Sequence, residues 1–120
     1  MYEIEFYEDA KGKSEVYEYI SNLMKNNCKE NKQKLKKIYL YMDLLSKYGF
    51  ILKEPYIKKI TNEIWELRPL RDRILFASWH KNKFILLTIF MKQTQKTPHK
   101  EIEKAERLLE EYKKRSEENE

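Results

Sequence analysis

Apolar side chains fall on every second position at Tyr2, Ile4 and Phe6, with Glu3, Glu5 and Tyr7 on the opposite side. This period of two predicts a half-buried strand over residues 2–7. Residues 9–12 read as a turn. From Ser14, whose hydroxyl suits a helix N-cap, the period lengthens, and Val16, Tyr19, Ile20 and Leu23 make one helical stripe to about Asn26. Leu35, Ile38, Met42 and Leu45 make a second stripe, predicting a helix over 32–48 with Gly49 as a left-handed C-cap. The short Asn/Lys-rich turn between the two stripes predicts a helical hairpin. Residues 50–62, punctuated by Pro55, carry no clear period and read as irregular.

The period of two then returns. Over 64–68, Trp65 and Leu67 face one way while Glu66 and Arg68 face the other. Residues 69–72 form a turn, and strands over 73–79 and 84–92 follow, joined by the polar loop His80-Lys81-Asn82-Lys83. The second of these is apolar on both faces, which predicts a strand covered on both sides. Thr97-Pro98 then supplies an N-cap and a first-turn proline for a last helix to about Arg115, with Ile102, Ala105, Leu108, Leu109 and Tyr112 on its apolar stripe. The order is β-α-α-β-β-β-α, an α+β class, and 120 residues suffice for one domain, taken as 1–120.

Composition removes several function classes. With two Gly, no phosphate-binding loop, dinucleotide turn or nucleophile elbow can be built. Cys28 is alone, which rules out an intrachain disulfide and fits a reducing compartment. His80 and His99 lie apart, with no acidic or cysteine cluster between them, so neither a metal nor a cofactor is expected. No signal-peptide pattern and no apolar run of membrane length are present, so a cytoplasmic location without membrane contact is expected.

Charge placement adds a positive indication. Residues 58–96 hold nine Lys/Arg against three acids, a surplus of six in a chain whose net charge is +5. A basic middle between near-neutral ends suits contact with a polyanion, although a solvated basic face has the same composition. Alternation puts Glu66 and Arg68 on one face, and the turn returns Arg73 beside Arg68. Lys92 begins the polar segment to Lys96. Glu66, Arg68, Arg73 and Lys92 are therefore the candidate catalytic groups, with Lys58, Lys59, Arg71, Gln95 and Lys96 as candidate nucleic-acid contacts on the rim. Paired guanidiniums can hold a scissile phosphate and stabilise its developing charge, while Glu66 or Lys92 takes or gives a proton. The alternative for Glu66 is a counter-ion of Arg68 or Arg73. The lysines of the second helix (Lys32, Lys34, Lys36 and Lys37) are either phosphate contacts or a solvated face.

The runs Glu54-Pro55-Tyr56-Ile57-Lys58-Lys59, Ile64-Trp65-Glu66-Leu67-Arg68-Pro69-Leu70-Arg71, Arg73-Ile74-Leu75-Phe76, Leu87 to Phe90, and Lys92-Gln93-Thr94-Gln95-Lys96-Thr97-Pro98 occur here in one order. In that order and spacing the chain resembles the RelE/ParE toxin superfamily, in particular its phage-derived, HigB-like branch. The resemblance implies a RelE-like microbial RNase fold: a mainly antiparallel sheet, a helical hairpin on one face, a concave RNA-binding face on the other, and a C-terminal helix. It implies a type II toxin that cuts mRNA in the ribosome without a metal, partnered by an antitoxin, expected to be of the helix-turn-helix kind. Arg68 and Arg73 match arginines that hold the scissile phosphate, and Lys92 falls near a basic position at the end of the last strand. The sequence departs from RelE itself in having Glu66 where lysines stand and no matching tyrosine near the C-terminus. Two other readings stay open: a ParE-like inhibitor of DNA gyrase, and a non-enzymatic nucleic-acid-binding partner that regulates its own operon.

Overall fold

Strand alternation is realised as one five-stranded sheet with helices on both faces. The structure is a computed structural model and describes residues 1–118. Its elements are β1 (Glu3–Phe6), α1 (Glu15–Lys25), α2 (Lys29–Tyr48), β2 (Ile57–Lys59), β3 (Trp65–Leu67), β4 (Asp72–Trp79), β5 (Lys83–Met91) and α3 (His99–Glu118). The strand order is β1-β5-β4-β3-β2. β1 runs parallel to β5, and the remaining neighbours are antiparallel.

The α+β class and the helical hairpin are as the periods predict. Ser14 Oγ accepts the Tyr17 N–H at 3.1 Å and so satisfies one of the free donors that open α1. Against the sheet this hairpin buries Val16, Ile20, Leu23, Ile38 and Leu45, which pack with Leu67, Ile74, Phe76 and Leu86. A second core lies on the opposite face, where Ala105 and Leu109 of α3 meet Tyr7, Ile64, Leu75, Ala77, Ile85 and Leu87. β5 is covered on both faces, as its unbroken apolar run predicts.

Three expectations need correction. Residues 50–62 are not wholly irregular: Gly49–Ile51 makes a 3-10 turn, and β2 adds a strand that pairs with β3 at the sheet edge. Three residues with only Ile57 buried are too short to show a period. Gly49 has φ 57° and ψ −138°, so it is not the left-handed helical cap expected. Its conformation serves a close approach, because a Cβ there would come within 2.5 Å of the Tyr2 ring. Finally, the sheet face opposite the hairpin is not an open concavity. α3 lies across it, and the apolar stripe at Ala105 and Leu109 seals against the strands.

Candidate functional site

The site begins at the β3–β4 turn. Asp72 N–H donates to Pro69 O at 3.0 Å and closes the turn. Leu70 is held at φ 55°, a left-handed value that a branched, non-glycine side chain rarely takes. Arg73 secures this conformation by folding its guanidinium back over the turn. Its Nη1 donates to Leu70 O at 2.8 Å and to Asp72 O at 2.9 Å. Arg73 is only 7% exposed, so its side chain is buried rather than facing solvent as a residue on an open sheet face would. Burial, and after it the positive charge of Arg68, pushes the guanidinium down from its ordinary pKa.

The strand register delivers the neighbours. Glu66 pairs with Leu75 and Leu67 with Ile74, which sets Arg68 and Arg73 side by side where the strands end. Glu66 is 3% exposed, and its Oε1 lies 3.4 Å from Arg68 Nε and 3.8 Å from Arg73 Nε. Its Oε2 accepts a 2.7 Å hydrogen bond from the Thr97 hydroxyl. One buried carboxylate thus faces two guanidiniums, and the surplus is positive. Both carboxylate oxygens are engaged, a geometry that favours the counter-ion alternative for Glu66 over a free proton acceptor. Arg68 is the more open of the two cations. Its side chain is 21% exposed, and its Nε has no hydrogen-bond partner among the described residues.

The rim forms from several segments. Lys58 stands directly across from Glu66 in the β2–β3 register and therefore shares its face, exposed at the sheet edge. Lys59 pairs with Trp65 and points to the hairpin side, so the structure separates it from the other candidates. Lys92 is tied to the turn at both backbone ends. Its N–H donates to Arg71 O at 2.8 Å, and its carbonyl accepts from Arg71 Nη2 at 3.2 Å. Arg71, Gln95 and Lys96 are exposed. Lys92, Gln95, Lys96 and Thr97 belong to the segment that closes over Glu66 and Arg73, and the cleft left beneath it is about 10 Å³, room for about one water. Arg68 is partly open to solvent, whereas residues 92–98 cover Arg73. His80 sits in the β4–β5 loop with its ring 4.7 Å from Trp79, and His99 is exposed at the start of α3; neither lines the cleft.

Two features escaped the sequence reading. Thr97 reads as a helix cap, yet its hydroxyl proton is given to Glu66; a threonine before proline carries no signal that separates these roles. Asp72 reads as a turn residue, yet it is fully buried beneath the site and bonded to Tyr19 of α1. Here a signal existed, because alternation puts Asp72 on the same side as Ile74 and Phe76. Among the described residues no cluster of three or more His, Cys, Asp or Glu side chains could hold a metal ion. Nor is any described helix long and apolar enough to cross a membrane.

The sequence profile of the family described as "Phage derived protein Gp49-like (DUF891)" matches residues 25–110. No curated protein matches the chain. The matched range spans most of the chain and includes α2, all of β2 to β5, every residue of the Glu66 cluster, and most of α3. The chain therefore belongs to the Gp49-like family of phage-derived proteins, a toxin-like family of the RelE type.

Proposed function

We propose that this chain is the toxin of a type II toxin–antitoxin pair, an endoribonuclease that cuts mRNA on the ribosome without a metal ion. The observation that carries this reading is the Glu66–Arg68–Arg73 cluster. Two guanidiniums share one buried carboxylate at the end of adjacent strands, Lys92 and Lys96 line the cleft beside it, and Lys58 stands across from Glu66 on the same face. The family assignment supports a toxin, and the surplus of positive charge supports a phosphodiester substrate.

The chemistry follows from what these groups can do. Arg68 takes the non-bridging oxygens of the phosphate, and Arg73 adds a second cation behind it. The substrate's 2′-hydroxyl attacks the adjacent phosphorus, its proton passes to a base, and the 5′-oxygen leaves and is protonated. Products are a 2′,3′-cyclic phosphate and a 5′-hydroxyl end. Fixed guanidiniums favour the transition state because negative charge on the phosphate oxygens grows as the bond forms. Glu66 holds both arginines in orientation. Lys92, which lines the cleft, is the candidate amine for proton transfer.

The test is cleavage of a defined mRNA on programmed ribosomes, mapped by primer extension. Discrete cuts by the parent protein, with loss of cutting in Arg68→Ala, support the proposal. Gyrase inhibition with intact mRNA would replace it with the ParE-like reading. A toxin of this kind acts in the cytoplasm and requires an antitoxin. Acidic side chains of that antitoxin are expected to block the basic site directly, which Arg68→Glu with Lys96→Glu tests. Reversal at Arg73 is unsuitable because that residue is buried. The hairpin offers the other docking surface, with Tyr17 and Tyr39 exposed, whereas the Tyr41 ring is engaged with Tyr56 at 5.3 Å.

A further inference from the structure

Directly beneath the arginine turn, on the hairpin side of the sheet, lies a second polar cluster. Asp72 is fully buried. Its Oδ1 accepts from the Tyr19 hydroxyl at 2.5 Å and lies 3.5 Å from Lys34 Nζ. Lys34 Nζ in turn donates to Tyr19 Oη at 2.7 Å and stands 5.2 Å from the centre of its ring. Asp72 Oδ2 has no hydrogen-bond partner among the described residues. The cluster therefore joins both helices of the hairpin, through Tyr19 of α1 and Lys34 of α2, to the first residue of β4.

Burying a carboxylate is costly unless it is paired, and this one is paired from one side only. An apolar residue would fill the position at less cost, since Ile74 and Phe76 follow on the same face. What the carboxylate adds is fixation. Asp72 and Arg73 are consecutive and point to opposite faces, and the Asp72 carbonyl is itself an acceptor for Arg73 Nη1. A backbone held from below by Tyr19 and Lys34 thus fixes an acceptor that orients the guanidinium above.

We propose that Asp72 is a positioning residue for Arg73, held by Tyr19 and Lys34, so that the helical hairpin sets the geometry of the arginine site. Neither Tyr19 nor Lys34 touches the substrate in this arrangement. As far as it concerns catalysis the inference rests on the ribonuclease reading, but the orientation of Arg73 is measurable without any RNA.

The test uses the full chain and three variants: Asp72→Asn, Tyr19→Phe and Arg73→Lys. In a nitrogen–proton correlation spectrum of the arginine Nε–H groups, the Arg73 signal is identified by its disappearance in Arg73→Lys. Tyr19→Phe deletes one hydroxyl and leaves the ring, so it tests the idea even if Asp72→Asn fails to fold. The Arg73 signal is expected to shift and broaden in Tyr19→Phe and in Asp72→Asn, while the signals of Arg107 and Arg115 on α3 stay in place. An unchanged Arg73 signal in Tyr19→Phe overturns the proposal, whatever the protein does to RNA. In the cleavage assay, Asp72→Asn is expected to lower kcat by about 10- to 100-fold with KM nearly unchanged, and to cost little more when Arg73→Ala is already present. An equal loss in both backgrounds would mean that Asp72 acts on stability alone. Full activity of Arg73→Ala would instead refute the ribonuclease site and leave the spectrum as the judge of Asp72.

Discussion

Arg68 and Arg73 have the same chemistry and different surroundings, so their substitutions separate. Arg68→Ala removes a partly exposed cation whose Nε lies 3.4 Å from the buried Glu66 carboxylate, and a smaller drop in melting temperature than in Arg73→Ala is expected. Arg73→Ala removes the donor shared by Leu70 O and Asp72 O and half of the cationic environment of Glu66. It is expected to cost about 1–3 kcal/mol of stability in denaturant unfolding, on top of any loss in activity. An Arg73→Ala protein as stable as the parent would mean that the guanidinium does not hold the turn. Thr97→Val keeps the shape and deletes the hydroxyl bonded to Glu66 Oε2, and about 1 kcal/mol of destabilisation is expected from the same measurement. Alternation sufficed to put Glu66 on the Arg68 side and to bring Arg73 back beside it. Burial was not legible, because it depends on residues 92–98 folding over the face, a contact between segments far apart in the chain.

At the scale of elements, long periodic segments were legible and short ones were not. α1, α3, β4 and β5 carry enough turns or alternations for the period to stand out. β2 has three residues, and nothing in Ile57-Lys58-Lys59 distinguishes a strand from a loop. Its consequence for the site is specific, since the β2–β3 register is what aligns Lys58 with Glu66 and turns Lys59 away. The packing of α3 also has a titratable element. Tyr7 donates to Glu111, and burial followed by that hydrogen bond raises its hydroxyl from the ordinary 10.0 to about 12. A raised folded-state pKa stabilises below the unfolded value and is lost as pH climbs through the interval to the folded one. Unfolding midpoints are therefore expected to fall between about pH 10 and 12, less steeply in Tyr7→Phe; identical slopes would exclude the Tyr7–Glu111 contact as the cause.

For the whole molecule, the two cores divide the labour. The hairpin core carries the Asp72 anchor, and the α3 side carries the arginine cluster with its covering segment. If the chain is the ribonuclease proposed, a closed cleft of about one water's volume requires substrate to engage Arg68 first and residues 92–98 to yield before a phosphate reaches Arg73. As a toxin, the protein is expected to arrest bacterial growth when induced alone and to be relieved by co-expression of its antitoxin. Cleavage is also expected to survive chelation under conditions that keep the programmed ribosome intact, because the groups at the site are cations and no described metal cluster stands nearby. Activity that disappears in EDTA and returns with magnesium would contradict that mechanism.

The most direct test is the rate of mRNA cleavage on programmed ribosomes by the parent protein and by Arg68→Ala at matched folded concentration. Removing a cation that strengthens its contact as phosphate charge develops is expected to slow cleavage by about a hundredfold or more per folded molecule. Cleavage by Arg68→Ala at the parent rate, or no cleavage by the parent protein itself, would contradict the assignment of the Glu66–Arg68–Arg73 cluster as a ribonuclease site.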